Sequence, residues 1–324
     1  MTATPARIVD IAIGFMGARQ LDNAARIGLF KALADGPKTA AELATATAHS
    51  ERQVRILADA MNGLGLLDRA NGSYSLAADS EKYLSGKGGI DLTPFIAFLG
   101  DISYRQWIGY DKTVDTDAPG TLDLDEAGWG DFMAGVMTYN ALHAEQFGEA
   151  FDFSGYRDAL DFGGLSAGFS FAAMQQNPEL KVRFVYDERF GESIAAAAAE
   201  AGLQDRVIVE AGPTESTRPG GQHDLVLVTH VLHRFTEEQN VGILRAAREA
   251  AAPGATLMLL EFFLDRDDTQ RPIDALHAGE YFNIDGTVVF PIETVEGWLA
   301  EAGWKTERVV PLPGSPRVLV ATAV

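Results

Sequence analysis

The sequence predicts an α/β protein: a parallel sheet with helices on both faces, preceded by a separate helical domain. Three observations predict it. From about residue 157, short apolar runs alternate with helical stretches, the order that builds a parallel sheet. The first 85 residues instead combine helical spacing with helix-start signals and one hairpin. The last strand candidates, 306–311 and 317–322, are joined only by "PGSP", so short a link that they must run antiparallel.

The elements follow in order. Residues 8–34 carry apolar positions at helical spacing, from Ile8 and Ile11 to Leu29 and Leu33, until "DGP" at 35–37 stops the helix. Thr39 stands three residues before Glu42 and Ser50 three before Gln53, which are capping boxes opening helices at about 39–46 and 50–64. "LLDRANGSYSL", 66–76, is a hairpin turning on Asn71-Gly72. Helix, helix and hairpin make a winged helix-turn-helix. Residues 86–155 read as mainly helical, with a loop rich in Asp, Gly and Pro at 115–130. Trp107, Trp129, Phe132, Met133, Met137 and Tyr139 are candidates there for a cavity wall or for plain helix packing. Strand candidates then fall at 158–162, 182–186, 206–210, 224–229 and 256–261, and a helix at 293–302 precedes the terminal pair. The expected domains are therefore 1–85, 86–155 and 156–324.

Composition bounds the function. A chain of 324 residues with 47% hydrophobic and 22% charged content is ordinary for a soluble globular protein. It has no cysteine, which excludes disulfides, thiolate metal sites and cysteine nucleophiles. No apolar run approaches a membrane span and the start lacks a secretion signal, so a cytoplasmic location is expected. A net charge of −20 disfavours nucleic acid and anionic membranes as partners. Packing and dimerisation are the better reading of the winged helix.

The stretch "LDFGGLSAGFSF", 160–171, places a glycine turn between the first strand of the sheet and the following helix. Together with "HDLVLVTHVLHRFTEEQNVGILRAAREAAAPGATLMLLE" (223–261) and "VEGWLAEAGW" (295–304), it resembles the small-molecule O-methyltransferases that depend on S-adenosylmethionine (SAM). The resemblance covers nearly the whole chain. It implies a class I methyltransferase (Rossmann-like) sheet, a homodimer made by the N-terminal domain, and a small-molecule substrate held at the carboxyl ends of the strands. It also implies SAM bound through Asp161, Gly163, Gly164, Gly168, Asp187 and Gly212. His233 matches the family's general base, and Glu261 the carboxylate that steers it. The substrate pocket would draw on Trp129, Met133, Met137, His277, Tyr281 and Asn283.

The sequence departs from the family at each cofactor contact. Leu165 and Ala167 stand where further glycines would be, and Leu165 would push into cofactor space. Counting from Pro178, the ribose carboxylate falls on Tyr186, whereas a one-residue shift restores Asp187. Gly212-Pro213 replaces Gly-Asp, Arg234-Phe235 replaces Asp-Trp, and Val289 stands near the second steering glutamate. These departures open the alternative of a fold kept for pericyclic, cyclising, hydroxylating or decarboxylating chemistry with SAM affinity lost. Asp274 and His277 share a helix face but lack a third ligand, so no metal site is expected. "GLSAG" looks like a nucleophile elbow but has no Asp-His order to complete it.

Overall fold

The computed structural model describes residues 3–266 and 268–324. The chain divides into two compact units, Met1–Gly109 with Asp123–Tyr139 and Tyr110–Leu122 with Asn140–Val324, so the helical stretch 86–155 is shared between them. No helix among the described residues is long and apolar enough to cross a membrane.

In the first unit the run expected as one helix over 8–34 is two, Ala6–Arg26 and Leu29–Leu33. The break falls at Gly28, whose φ of 76° is a left-handed conformation that an L side chain resists. Helix Ala40–Thr47 starts on the full Thr39–Glu42 capping box, and Glu51–Gly63 starts with the Ser50 side chain accepting from the Gln53 amide. Strands β1 (Lys38–Thr39), β2 (Leu67–Ala70) and β3 (Ser73–Leu76) form a small sheet in the order β1-β3-β2, with Asn71 and Gly72 both at positive φ in the turn. Leu29, Phe30, Leu43, Val54, Met61 and Tyr74 are its fully enclosed core. Helix Ala6–Arg26 keeps Ile8, Ile11 and Phe15 exposed at 73%, 76% and 51%, an apolar stripe that its own unit does not cover. Further along, Phe95 stacks on Tyr139 with ring centroids 4.1 Å apart. Phe98 meets Phe132 edge-on.

The second unit is built on β4 (Asp158–Phe162), β5 (Lys181–Tyr186), β6 (Val207–Ala211), β7 (His223–Thr229), β8 (Ala251–Glu261), β9 (Trp304–Pro311) and β10 (Arg317–Ala323). They lie in the order β6-β5-β4-β7-β8-β10-β9. All pairs are parallel except those of β10, which runs antiparallel to both neighbours, as the short final link requires. β8 begins earlier than the expected 256 because a register irregularity opposite His223–Leu225 carries the pairing back to Ala251. Leu160, Phe162, Val226 and Leu257 fill one face, and Ala159, Phe184, Leu225 and Met258 the other. The register pairs Asp161 with Phe184. Residues two apart on a strand share a face, so Tyr186 points to the same side as Asp161, one pleat further on.

Candidate active site

The carboxyl ends of β4, β5, β7 and β8 bring together two groups of polar side chains. The first surrounds the glycine turn. Gly163 leaves β4 with φ 78° and its amide donates to the Val185 carbonyl at 2.8 Å. A Cβ on Gly164 would stand 2.8 Å from the Tyr186 hydroxyl and 3.2 Å from Thr229 Oγ1, so only glycine fits there. Asp161 is fully buried beneath the turn and accepts from Ser170 Oγ at 2.5 Å and from the Tyr186 hydroxyl at 2.8 Å. Burial pushes its carboxyl up to about 7, although the hydrogen bonds from Ser170 and Tyr186 pull the other way. The Tyr186 oxygen also lies 3.0 Å from the Ser166 carbonyl. Burial and the adjacent Asp161 hold the Tyr186 phenol well above its usual range. Arg234 reaches in from beyond β7: its guanidinium donates to the Gly163 carbonyl and, at 3.2 Å, to the His230 carbonyl.

The second group stands at the ends of β7 and β8. Leu232–Arg234 is a single 3₁₀ turn, and the Leu232 amide donates to Glu261 Oε1 at 2.8 Å. His233 Nδ1 donates to Glu261 Oε2 at 3.0 Å. Burial pushes the Glu261 carboxyl up, but His233 and the Leu232 amide outweigh it and hold the group below the usual carboxylate range. His230, at φ 54°, adopts a strained conformation for a residue with a Cβ. Its Nε2 lies 2.9 Å from His143 Nδ1, so the two rings share one proton between them. Burial lowers His230 to about 4, and burial followed by the neighbouring imidazoles takes His143 well below its usual range, so both are neutral near pH 7. His230, His233 and Glu261 offer ligand atoms within 4.8 Å of one another, the grouping among the described residues that could hold a cation.

The other expected residues divide. Tyr281 lies 4.9 Å from the His233 ring, and His277 stacks on Phe262 at 3.8 Å with Nδ1 donating to the Ile273 carbonyl at 2.7 Å. Asn283 accepts from Thr113 Oγ1 at 3.2 Å. Trp129, Met133 and Met137 fall in the first unit, where Trp129 packs edge-on against Phe132 at 5.4 Å. Gly168 is the first residue of helix Gly168–Gln176, with its amide donating to Ser166 Oγ at 3.2 Å. Asp187 directly follows β5 and is half-buried. The Gly212 amide donates to the Tyr186 carbonyl at 2.9 Å. Leu165, expected to fill the crevice, is half-buried, and Tyr186 is the fully enclosed group on the turn. Asp274, three residues before His277 on the same helix, is buried against Arg317 at 3.1 Å and Arg271 at 3.5 Å, the cations an interior carboxylate needs. Sequence reasoning missed His143. It sits on helix Glu126–Ala150, 87 residues before its partner, and nothing local marks it.

The family model for the O-methyltransferase domain matches residues 102–285, and that for the O-methyltransferase dimerisation domain matches 9–86. The 3-hydroxy-5-methyl-1-naphthoate 3-O-methyltransferase of Streptomyces sahachiroi is 30% identical over 283 residues, covering 84% of this chain and 81% of that protein. The L-tyrosine C(3)-methyltransferase of Streptomyces lavendulae is 24% identical across 96% and 91% of the two chains. Among solved structures, the S-adenosylmethionine-dependent methyltransferase SibL in its apo form superposes with a TM-score of 0.85 at 25% identity, covering 99% of both chains. The fold is that of the class I methyltransferases. The chain belongs to the O-methyltransferase family and carries that family's dimerisation domain ahead of the catalytic sheet.

Proposed function

We propose that the chain is a cytoplasmic, homodimeric methyltransferase that uses SAM to methylate an aromatic or polyketide-like small molecule at oxygen or carbon. The observation that carries this reading is the His233–Glu261 pair. With Nδ1 donating to a buried carboxylate, the ring has Nε2 left to take a substrate proton. Relatives named for methylating a hydroxynaphthoate and tyrosine support the aromatic class of substrate. Pairing through the N-terminal unit is supported by its family match and by the exposed stripe of Ile8, Ile11 and Phe15. Its winged-helix arrangement is not a nucleic-acid reader: Arg55 and Arg69 both lie on Asp59, in a chain of charge −20.

The residues of the turn fit a nucleoside cofactor. Gly164 leaves a floor that a Cβ would fill, and beside it Thr229 Oγ1 is buried with no partner in the protein, a cost that a ligand would relieve. Gly163, Gly164 and Gly168 would line the cofactor, with Asp187 and Gly212 at the next two strand ends. When bound, SAM supplies an electrophilic methyl group. The chain's own part is to hold the acceptor beside Nε2 of His233, take its proton there, and stabilise the resulting imidazolium with Glu261. To test this, the protein is supplied with methyl-labelled SAM and a panel of hydroxylated aromatic acids. Label is expected in a methylated product and is lost in His233→Ala; full turnover in that variant would remove His233 from the reaction.

A further inference from the structure

Apart from Thr229 Oγ1, the polar groups named at the glycine turn are engaged by other side chains of the protein. The Gly163 carbonyl accepts from Arg234, and Asp161 accepts from Tyr186, whose hydroxyl also lies on the Ser166 carbonyl. Tyr186, Asp161, Gly163 and Gly164 are all buried. These contacts come from separate elements, the end of β5 and the 3₁₀ turn after β7, and they reach the same turn at different atoms. We infer that Arg234 and Tyr186 set the chain's affinity for its nucleoside cofactor by closing the glycine turn in the free protein, and that the cofactor enters by turning both side chains out. This rests on the reading of the turn as a SAM site.

The chemistry of the competition is specific. SAM and its product S-adenosylhomocysteine (SAH) carry an ammonium group, and SAM adds a sulfonium. The ammonium of either ligand seeks a carbonyl acceptor, and the Gly163 carbonyl here already holds the Arg234 guanidinium. Tyr186 ends β5 one residue before Asp187, its ring buried against Phe184 and its hydroxyl turned inward onto Asp161. Moving it breaks the hydrogen bond to Asp161, which is then left with Ser170 alone. Each displaced contact subtracts from the ligand's net affinity, because the free protein must first lose what the complex then gains.

The test is calorimetric titration of SAH into the full-length wild type, Arg234→Ala and Tyr186→Phe, with thermal unfolding run on each to confirm folding. Arg234→Ala should bind SAH about tenfold more tightly than wild type and Tyr186→Phe about fivefold, the scale of one displaced hydrogen bond each. Binding in a variant where wild type shows none has the same meaning. If wild type binds SAH and both variants bind it equally or more weakly, the two side chains are ligands and not competitors, and the inference falls while the cofactor reading stands. If none of the three binds at millimolar SAH, both fall together.

Discussion

Two clusters share the carboxyl edge of one sheet, and they differ in what their side chains face. At His233 and Glu261 the protein completes one half of each interaction: Glu261 takes Nδ1 and a backbone amide, and the other ring nitrogen is left for chemistry. At the glycine turn the protein completes both halves, since Tyr186 and Arg234 satisfy Asp161 and the Gly163 carbonyl from within. A buried polar group must find a partner, from a ligand or from the chain. At this turn the chain itself supplies that partner. The lesson is that a departure at a binding position need not leave a gap; it can install a competitor.

Substitutions should separate the two clusters. The largest effect on turnover is expected at the reaction side: His233→Ala should lower kcat by about 10²- to 10⁴-fold, with SAH affinity within about twofold of wild type. Glu261→Gln should cost about tenfold in kcat, because the ring loses its charged anchor but keeps its place. The largest effect on stability is expected at the turn. Asp161→Ala should lower the unfolding free energy in urea by about 2–4 kcal/mol, since it strands the Ser170 and Tyr186 hydroxyls in a dry interior. Comparable stability loss from His233→Ala would erase the distinction.

Acid–base behaviour sharpens it further. Asp161 is protonated in the folded chain up to about 7 but ionises near 3.8 when unfolded, so its stabilising contribution is full below 3.8 and is lost as pH rises towards 7. His230 has the opposite sign: held near 4 when folded and 6.5 when unfolded, it contributes stability above 6.5 that is lost as pH falls towards 4. The windows overlap, and His143, which burial also holds neutral, adds to the His230 trend, so Asp161 opposes the two histidines between pH 4 and 6.5. Asp161→Asn should uncover a profile that rises with pH, measured by urea unfolding across that range; a profile unchanged by the substitution would contradict the assignment. The smallest effect is expected from Leu165→Gly. Its side chain is only half-buried, so SAH affinity should change less than about threefold.

Much of this was legible in the sequence, for physical reasons that also mark the limits. Strand positions and the antiparallel end followed from apolar runs and one short link, and the hairpin from Asn71-Gly72, because these are local signals. The break at Gly28 was not read, since the apolar spacing continues through it. Glu261 was placed as the end of an apolar run and His233 by the family resemblance, and the structure sets the two side by side. Whether Tyr186 or Asp187 stood at the ribose position was a matter of register, and register is set by pairing with β4, which spacing alone does not fix. Arg234 was noticed as a replacement, but its reach to Gly163, 71 residues away in sequence, is a tertiary fact. The same holds for His143.

The central claim is that one crevice holds a working base and a cofactor turn closed by its own side chains. A crystal structure of the wild type at saturating SAH tests it most directly. The account predicts the nucleoside over Gly163 and Gly164, with Tyr186 and Arg234 rotated away and His233 still on Glu261. A turn still filled by Tyr186 and Arg234, with no nucleoside at saturation, would contradict it.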